Sequence, residues 1–357
     1  MAQHTSNQAD QTKRQKSFFL NHSSNPLCVP PNGSVLFGAE VPRGARGAAI
    51  QKHLKFSRVL ILMMIGIVPV LFVCSSEKPQ PEKLNIFVSI LPQKYFLDKL
   101  GGNLLDVTIM VEPGASAHSY EPKPAQMVKL SHAKAYFAQG LEFENAWLPK
   151  FAAIAHNVRV IHVDTLIAKT APDSLAAFST RLDDIGKSAH HEDGGLDPHI
   201  WLSPELVKQQ VRTMYEALQA IDPAHDTTYS GNYQALLGLI GKVQDSLKSL
   251  LRYDSILGPG KTFMVFHPSW GYFAREFRLR QLAIEVEGKE PSPRQMAEII
   301  SKAQHYGIRA IFVQPQFSQQ SANAIARQLH ARLCVADDLA YDWPNNLLSI
   351  AKNIATQ

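Results

Sequence analysis

The stretch Thr228–Arg252, TYSGNYQALLGLIGKVQDSLKSLLR, decides the architecture. Tyr229, Tyr233, Leu236, Ile240, Val243, Leu247 and Leu250 step by fours and threes, so they share one face of an α-helix. A helix of about 25 residues spans nearly 40 Å at roughly 1.5 Å per residue, long enough to bridge two lobes.

The sequence on each side of this helix alternates between strand-like and helix-like runs. Before it, Leu84–Ile90, Leu105–Val111, Ala135–Gln139 and Val158–Val163 are short, apolar and partly β-branched, and read as strands. Helical segments separate them: one running to Leu100 and stopped by Gly101-Gly102, then Pro124–Ala133, then Glu142–His156. After it, Thr262–Phe266, Gln281–Val286, Arg309–Val313 and Arg332–Ala336 read as strands. Pro291–Tyr306 is the best helix among them, with Met296, Ile299, Ile300, Ala303 and Tyr306 on one face and Ser292-Pro293 as its start. Such alternation predicts the α/β class: two lobes with mainly parallel sheets, joined by the long rigid helix, with a cleft between them. The expected division is an N-terminal lobe over 84–222, the linking helix within 223–253 and a C-terminal lobe over 254–357. Ala171–Leu196 interrupts the pattern. It is polar, holds His190, His191, Glu192 and Asp193, and reads as a mobile surface loop.

The chain has 357 residues, 45% of them hydrophobic and 19% charged, which suits a well-cored globular body and argues against wholesale disorder. The formal net charge of +5 suggests nucleic acid only until it is located. Residues 1–74 hold eight Lys/Arg and two acids, which leaves 28 basic and 29 acidic residues in the rest, a net of −1. The globular body therefore lacks the basic surface that binding to DNA or RNA requires.

That basic N-terminus reads as a leader (1–54), a signal or anchor segment (55–74) and a tether (75–83). Lys55 and Arg58 precede the apolar run Val59–Val73, VLILMMIGIVPVLFV, and Cys74 follows it. The run is shorter than the roughly 20 residues of a full membrane span and has the flanks of a secretory signal core. Either Cys74 becomes a lipidated first residue, as LFVC resembles a bacterial lipoprotein signal, or the segment remains as an uncleaved anchor. Val73 is larger than the residue such signals usually carry before the cysteine. Both readings put the body outside the cytoplasm, at the outer face of a membrane. Cys28, Cys74 and Cys334 do not make a disulfide framework, and Cys334, in an apolar stretch, reads as a core residue.

Four residues sit at the ends of predicted strands or in loops beside them. His118 follows a strand in VEPGASAHSYEPKP, His199 lies in DPHIWLSP, His267 ends a strand in FMVFHPSWGYF, and Asp337 ends the last strand in LCVADDLAYDW. Ligands of open α/β sheets bind outside the carboxyl ends of the strands, so an inter-lobe cleft could collect all four. Three imidazoles and a carboxylate suit tetrahedral Zn²⁺, disfavour Mg²⁺ and Ca²⁺, and leave Mn²⁺ possible. A filled shell has no open position for an activated water, which favours binding over hydrolysis. Spacing alone does not separate this reading from four unrelated structural residues.

Taken together and in order, GASAHSYEPKP, DPHIWLSP, FHPSWGYF, IFVQPQFS and CVADDLA resemble the blocks of the zinc/manganese-specific family of ABC-transporter solute-binding proteins. The resemblance covers roughly residues 84–357. It implies two lobes with a four-stranded sheet each, a rigid backbone helix, and a metal between the lobes held by His118, His199, His267 and a C-terminal-lobe carboxylate. Asp337 matches that carboxylate better than Asp338, which falls where the family often has Ser. Zinc members often carry a long His- and acid-rich loop before the second ligand. AHHEDGG (189–195), with His190 and His191, lies in that place but is short, so these two read as weak secondary metal contacts.

The resemblance further implies a monomeric receptor that captures Zn²⁺ and delivers it to an ABC permease and, indirectly, its ATPase. No glycine-rich nucleotide loop occurs in this chain, so ATP is not hydrolysed here. Alternatives are a manganese or mixed-metal receptor, a zinc-dependent hydrolase, which the lack of an HExxH-type helix disfavours, and an additional adhesin role. Around the site, Glu112 and Glu121 read as loop carboxylates, and Tyr120 and Pro122 as shaping the His118 loop. Trp201, Trp270, Tyr272 and Phe317 read mainly as packing, and Glu287 and Glu290 as turn residues.

Overall fold

The structure, a computed structural model, describes residues 82–170, 196–252, 261–285 and 289–356, together with the two-residue strands at 28–29 and 179–180. Lys83–Gln357 belongs to one compact unit. The first sheet has the order β3-β2-β4-β5, from β2 (Leu84–Val88), β3 (Leu105–Ile109), β4 (Ala135–Ala138) and β5 (Arg159–His162), all paired in parallel. Helices α1 (Leu91–Gly101), α2 (Pro124–Leu130) and α3 (Glu142–Ile154) connect them. β4 is buried along its whole length, which explains its uninterrupted apolar run.

The second sheet is built on the parallel set β10-β9-β7-β8, from β7 (Thr262–Val265), β8 (Arg280–Ala283), β9 (Ala310–Val313) and β10 (Arg332–Val335). Two edge strands extend it beyond the four that the resemblance implied. β6 (Ser179–Thr180) pairs in parallel with β8, and β1 (Cys28–Val29) pairs antiparallel with β10. β6 comes from the segment read as a loop of the first lobe yet joins the second sheet, and β1 comes from the leader. Cys28 is the register partner of Cys334, and Cys334 is buried and disulfide-bonded, so a core role without a disulfide is corrected for that cysteine. Cys74, the Val59–Val73 run, His190, His191 and Glu287 lie outside the described residues. Among those described, no helix is long and apolar enough to cross a membrane.

Two long helices follow the first sheet. α4 (Pro204–Ile221) starts at Ser203, whose hydroxyl accepts from Leu206 N–H at 3.3 Å, with Pro204 in its first turn. α5 (Asp226–Leu251) is the linking helix. It ends where Arg252 turns left-handed with φ 52°. Tyr229, Leu236, Ile240, Val243 and Leu247 of the expected stripe are buried, and Tyr233 and Leu250 pack at its margin. At about 1.5–3 kcal/mol for each large apolar side chain removed from water, this stripe is a main tie between the lobes. α5 packs against α1 and α4 of the first lobe and against α9 (Trp343–Ala355) of the second. Phe96 of α1 meets Trp343 edge to face at 5.4 Å, and Tyr341 donates to Asp98 at 2.8 Å, so the ends of the two lobes are joined as well. The remaining helices of the second lobe are α6 (Gly271–Glu276), α7 (Pro293–His305) and α8 (Gln320–Leu329).

The strand orders fix where a ligand can sit. In the second sheet the chain reverses direction between β7 and β9, and the loops leaving their carboxyl ends carry His267 and Gln314–Phe317. In the first sheet the reversal lies between β2 and β4, and Glu142 follows β4.

Candidate metal centre

His118, His199 and His267 converge. One ring nitrogen from each lies within 4.8 Å of the others, and Nε2 of His118 is 3.0 Å from Nε2 of His267. Three imidazoles on a tetrahedral zinc at roughly 2.0–2.1 Å would place their nitrogens about 3.3 Å apart, close to this spacing. The other ring nitrogen of each histidine is occupied by a carboxylate. Nδ1 of His118 is 3.0 Å from Glu142, Nδ1 of His199 is 2.7 Å from Asp197, and Nδ1 of His267 is 2.7 Å from Glu285. A carboxylate accepts from Nδ1–H, so it fixes the tautomer that leaves a lone pair on Nε2. Two lone pairs facing each other at 3.0 Å repel unless a cation lies between them.

Local chemistry sets each partner in place. Asp197 accepts both the Nδ1–H and, at 2.9 Å, the backbone N–H of His199, a two-residue turn that aims the ring. The segment then forms a 3₁₀ turn over Ile200–Leu202 and enters α4. His267 is held by the side chain of Gln314. Its amide donates to the His267 carbonyl at 3.0 Å and to Ser269 Oγ at 3.1 Å, and its oxygen accepts from His267 N–H at 3.3 Å. Phe317 stacks on the His267 ring at 5.0 Å.

Glu142 opens α3 after a tight turn at Gly140, which has φ 81°. That left-handed φ is what favours glycine there, since the nearest atom to an added Cβ would be the movable tip of Lys169. Buried Glu144 accepts the N–H groups of Gln139, Gly140 and Leu141 at 2.8, 2.6 and 3.1 Å, and the Ser89 hydroxyl as well. Burial, its largest influence, lifts the Glu144 pKa against those donors.

At the fourth position the structure gives the two neighbouring aspartates different surroundings. Asp338, buried, lines the cleft with the three histidines, Trp201 and Phe317. Its Oδ1 accepts from Gln316 Nε2 at 2.9 Å. Asp337 does not line the cleft. Its carboxylate accepts from Leu339 N–H at 2.9 Å and caps the turn after β10, while its carbonyl accepts from Asn346 at 2.6 Å. Burial raises the Asp337 pKa. The chain turns at Asp338 directly after β10, so the neighbouring aspartates have different surroundings.

The electrostatics favour a cation. Glu142, Asp197, Glu285 and Asp338 surround three imidazoles in a mostly buried cleft. Burial disfavours the His118 imidazolium, but the Glu142 hydrogen bond and the charges of Glu142, Asp338 and Glu285 outweigh it, and the pKa lies above 6.5. His118 in return holds Glu142 below its usual range. His267 lies below 6.5, because burial dominates and the two neighbouring imidazoles add to it against Glu285.

Of the other residues singled out in the sequence, Trp270 and Tyr272 are buried and do not line the cleft. Tyr120 packs on Phe143 and donates to Gln126 at 3.0 Å, shaping the His118 loop. Glu112 pairs with Lys123 at 2.6 Å, and Glu290 accepts from Ser321. Sequence reasoning missed Glu142, Glu285 and Gln316, which lie far along the chain from the groups they contact. Asp197 was missed despite a local signal, an Asp two residues before a His.

A family model described as the periplasmic component A of the zinc-uptake complex, ZnuA, matches residues 86–356. A zinc-bound crystal structure of a ZnuA deletion mutant is 38% identical, with a TM-score of 0.67, over 77% of this chain and 97% of that one. The high-affinity zinc uptake system protein ZnuA of Bacillus subtilis is 24% identical over 266 residues, 74% of this chain and 81% of its own. The zinc-binding lipoprotein AdcA of Streptococcus pneumoniae is 26% identical over 275 residues, 75% of this chain but 52% of that longer protein.

Proposed function

The chain belongs to the family of periplasmic zinc-uptake component A proteins, and on that premise we propose that it captures Zn²⁺ outside the cytoplasm with His118, His199, His267 and Asp338 and hands it to an ABC permease. The zinc is cargo. The observation that carries this reading is the convergence of a ring nitrogen from each of three histidines whose Nδ1 partners are all carboxylates. Each imidazole is thereby oriented toward the cleft, and the nearby negative charge balances a divalent ion. Asp338 replaces Asp337 as the fourth ligand, since its carboxylate lines the cleft and Gln316 occupies only its Oδ1.

Delivery uses a permease and its ATPase, partners that the family's place in zinc uptake supports. The protein acts as a monomer tethered to the outer face of the membrane through Cys74 or an uncleaved segment. AdcA's being a lipoprotein supports the tether. Mass spectrometry of the mature N-terminus tests it: a lipid on Cys74 or a retained Val59–Val73 segment is expected, and a free chain beginning beyond Cys74 contradicts it.

The capture reading is tested by calorimetric titration with zinc and manganese, alongside His267→Ala. Tight one-to-one zinc binding, weak manganese binding and a large loss in the variant are expected. Tighter manganese than zinc would transfer the protein to manganese capture, and no tight site for either ion would overturn the reading.

A further inference from the structure

The ligands come from two lobes, and chain order would divide them two and two. Hydrogen bonding divides them differently. The segment 197–203 that carries His199 precedes the linking helix in the chain but is fastened to the second lobe along its length. Tyr272 of α6 donates to the Asp197 carbonyl at 3.0 Å and itself accepts from Thr170 N–H at 3.0 Å. Trp201 Nε1 donates to the Asp338 carbonyl at 2.6 Å, and Trp343 Nε1 donates to the Trp201 carbonyl at 2.7 Å. Glu276, one helical turn beyond Tyr272, accepts from the Ser203 hydroxyl and, at 3.2 Å, from Glu205 N–H. Ile200 and Tyr272 also share an apolar cluster.

The His118 loop is built otherwise. Among the described residues, its hydrogen bonds stay in the first lobe: Ala115 N–H to Glu112, His118 N–H to Ser116, Lys123 to Glu112, and Tyr120 to Gln126. Its carboxylate partner Glu142 is 66% exposed, whereas Asp197 and Glu285 are 5% and 7% exposed. The ring of His118 touches the other ligands, but nothing in its support is shared with them.

Resting on the zinc-capture reading above, we infer that the site divides three against one. His199, His267 and Asp338 form a unit preassembled on the second lobe, and His118 is the single ligand that withdraws to admit and release the cation. Exchange then requires the loss of one imidazole at the solvent side of the cleft, with no separation of the two lobes. A ligand that must be ordered at each capture also contributes less to affinity than ligands held in place beforehand.

The test is zinc affinity, by competition with a chelator, for the unsubstituted protein and for His118→Ala, His199→Ala and His267→Ala. His118→Ala is expected to keep a one-to-one site and to lose roughly tenfold less affinity than either other variant. Millimolar imidazole should restore binding to His118→Ala, whose missing ring leaves a solvent-facing gap, and should not restore it to the other two. Glu142→Gln, a change at the surface that leaves the fold intact, should speed zinc release to the chelator on the order of tenfold. Equal losses in the three alanine variants, imidazole rescue of His267→Ala but not His118→Ala, or an unchanged release rate in Glu142→Gln overturns this inference alone. No tight zinc site in the unsubstituted protein overturns it together with the capture reading.

Discussion

His118 and His267 offer the cleft the same atom in opposite settings. His267 ends a buried strand, stacks on Phe317, is clamped by Gln314 and donates to a buried carboxylate. His118 sits on a loop and donates to an exposed one. The difference extends to their protons: burial holds His267 below the ordinary imidazole pKa, while Glu142 brings His118 above it. One histidine is therefore a fixed neutral donor. The other is a ligand for which a proton competes at higher pH.

The comparison can be broken most severely at its buried end. His267→Ala should lower zinc affinity by more than about a hundredfold, read by chelator competition, because it removes a ligand that paid its ordering cost on folding. Asp338→Ala should cost on the order of a hundredfold, while Asp337→Ala should leave zinc affinity nearly unchanged. Reversed results would restore Asp337 as the ligand. Glu285→Gln should weaken binding about 10–100-fold and Glu142→Gln by no more than roughly tenfold, since a carboxylate in water orients its partner less.

The protons sharpen the contrast. Zinc requires neutral imidazole, so affinity falls as pH drops through the His118 pKa, beginning above 6.5. Glu142→Gln removes the largest influence that raises that pKa and leaves burial, which lowers it, opposed only by the charges of Asp338 and Glu285, so the fall should move to lower pH in zinc titrations across pH 5–8. A midpoint that stays put or rises contradicts the assignment. The smallest effect is one of stability: Asp337→Ala loses the cap on Leu339 N–H and should cost about 1 kcal/mol in denaturant unfolding of the zinc-free protein.

Much of this was legible in the chain because it rests on local patterns. The Tyr229–Leu250 stripe gave the linking helix directly, and short apolar runs gave the eight central strands, since fully buried parallel strands carry little else. The histidines stood out because each falls in or beside a loop at a strand end. The edge strands β1 and β6 escaped notice, as two residues hold no period. Glu142 and Glu285 escaped for another reason. They lie 24 and 18 residues from the histidines they serve, and only the folded sheets bring them together. Asp337 and Asp338 are adjacent at a turn, and the resemblance pointed to Asp337, whereas the folded loop sets Asp338 along the cleft and Asp337 on Leu339 N–H.

We propose that three carboxylate-held imidazoles and Asp338 enclose a zinc ion. A crystal structure of the zinc-loaded protein with anomalous data at the zinc edge tests it most directly. A single strong peak is expected about 2.0–2.1 Å from Nε2 of His118, His199 and His267, with an Asp338 carboxylate oxygen completing the tetrahedron. A peak elsewhere, or one at the cleft bound through Asp337 or through fewer than three of these histidines, would contradict it.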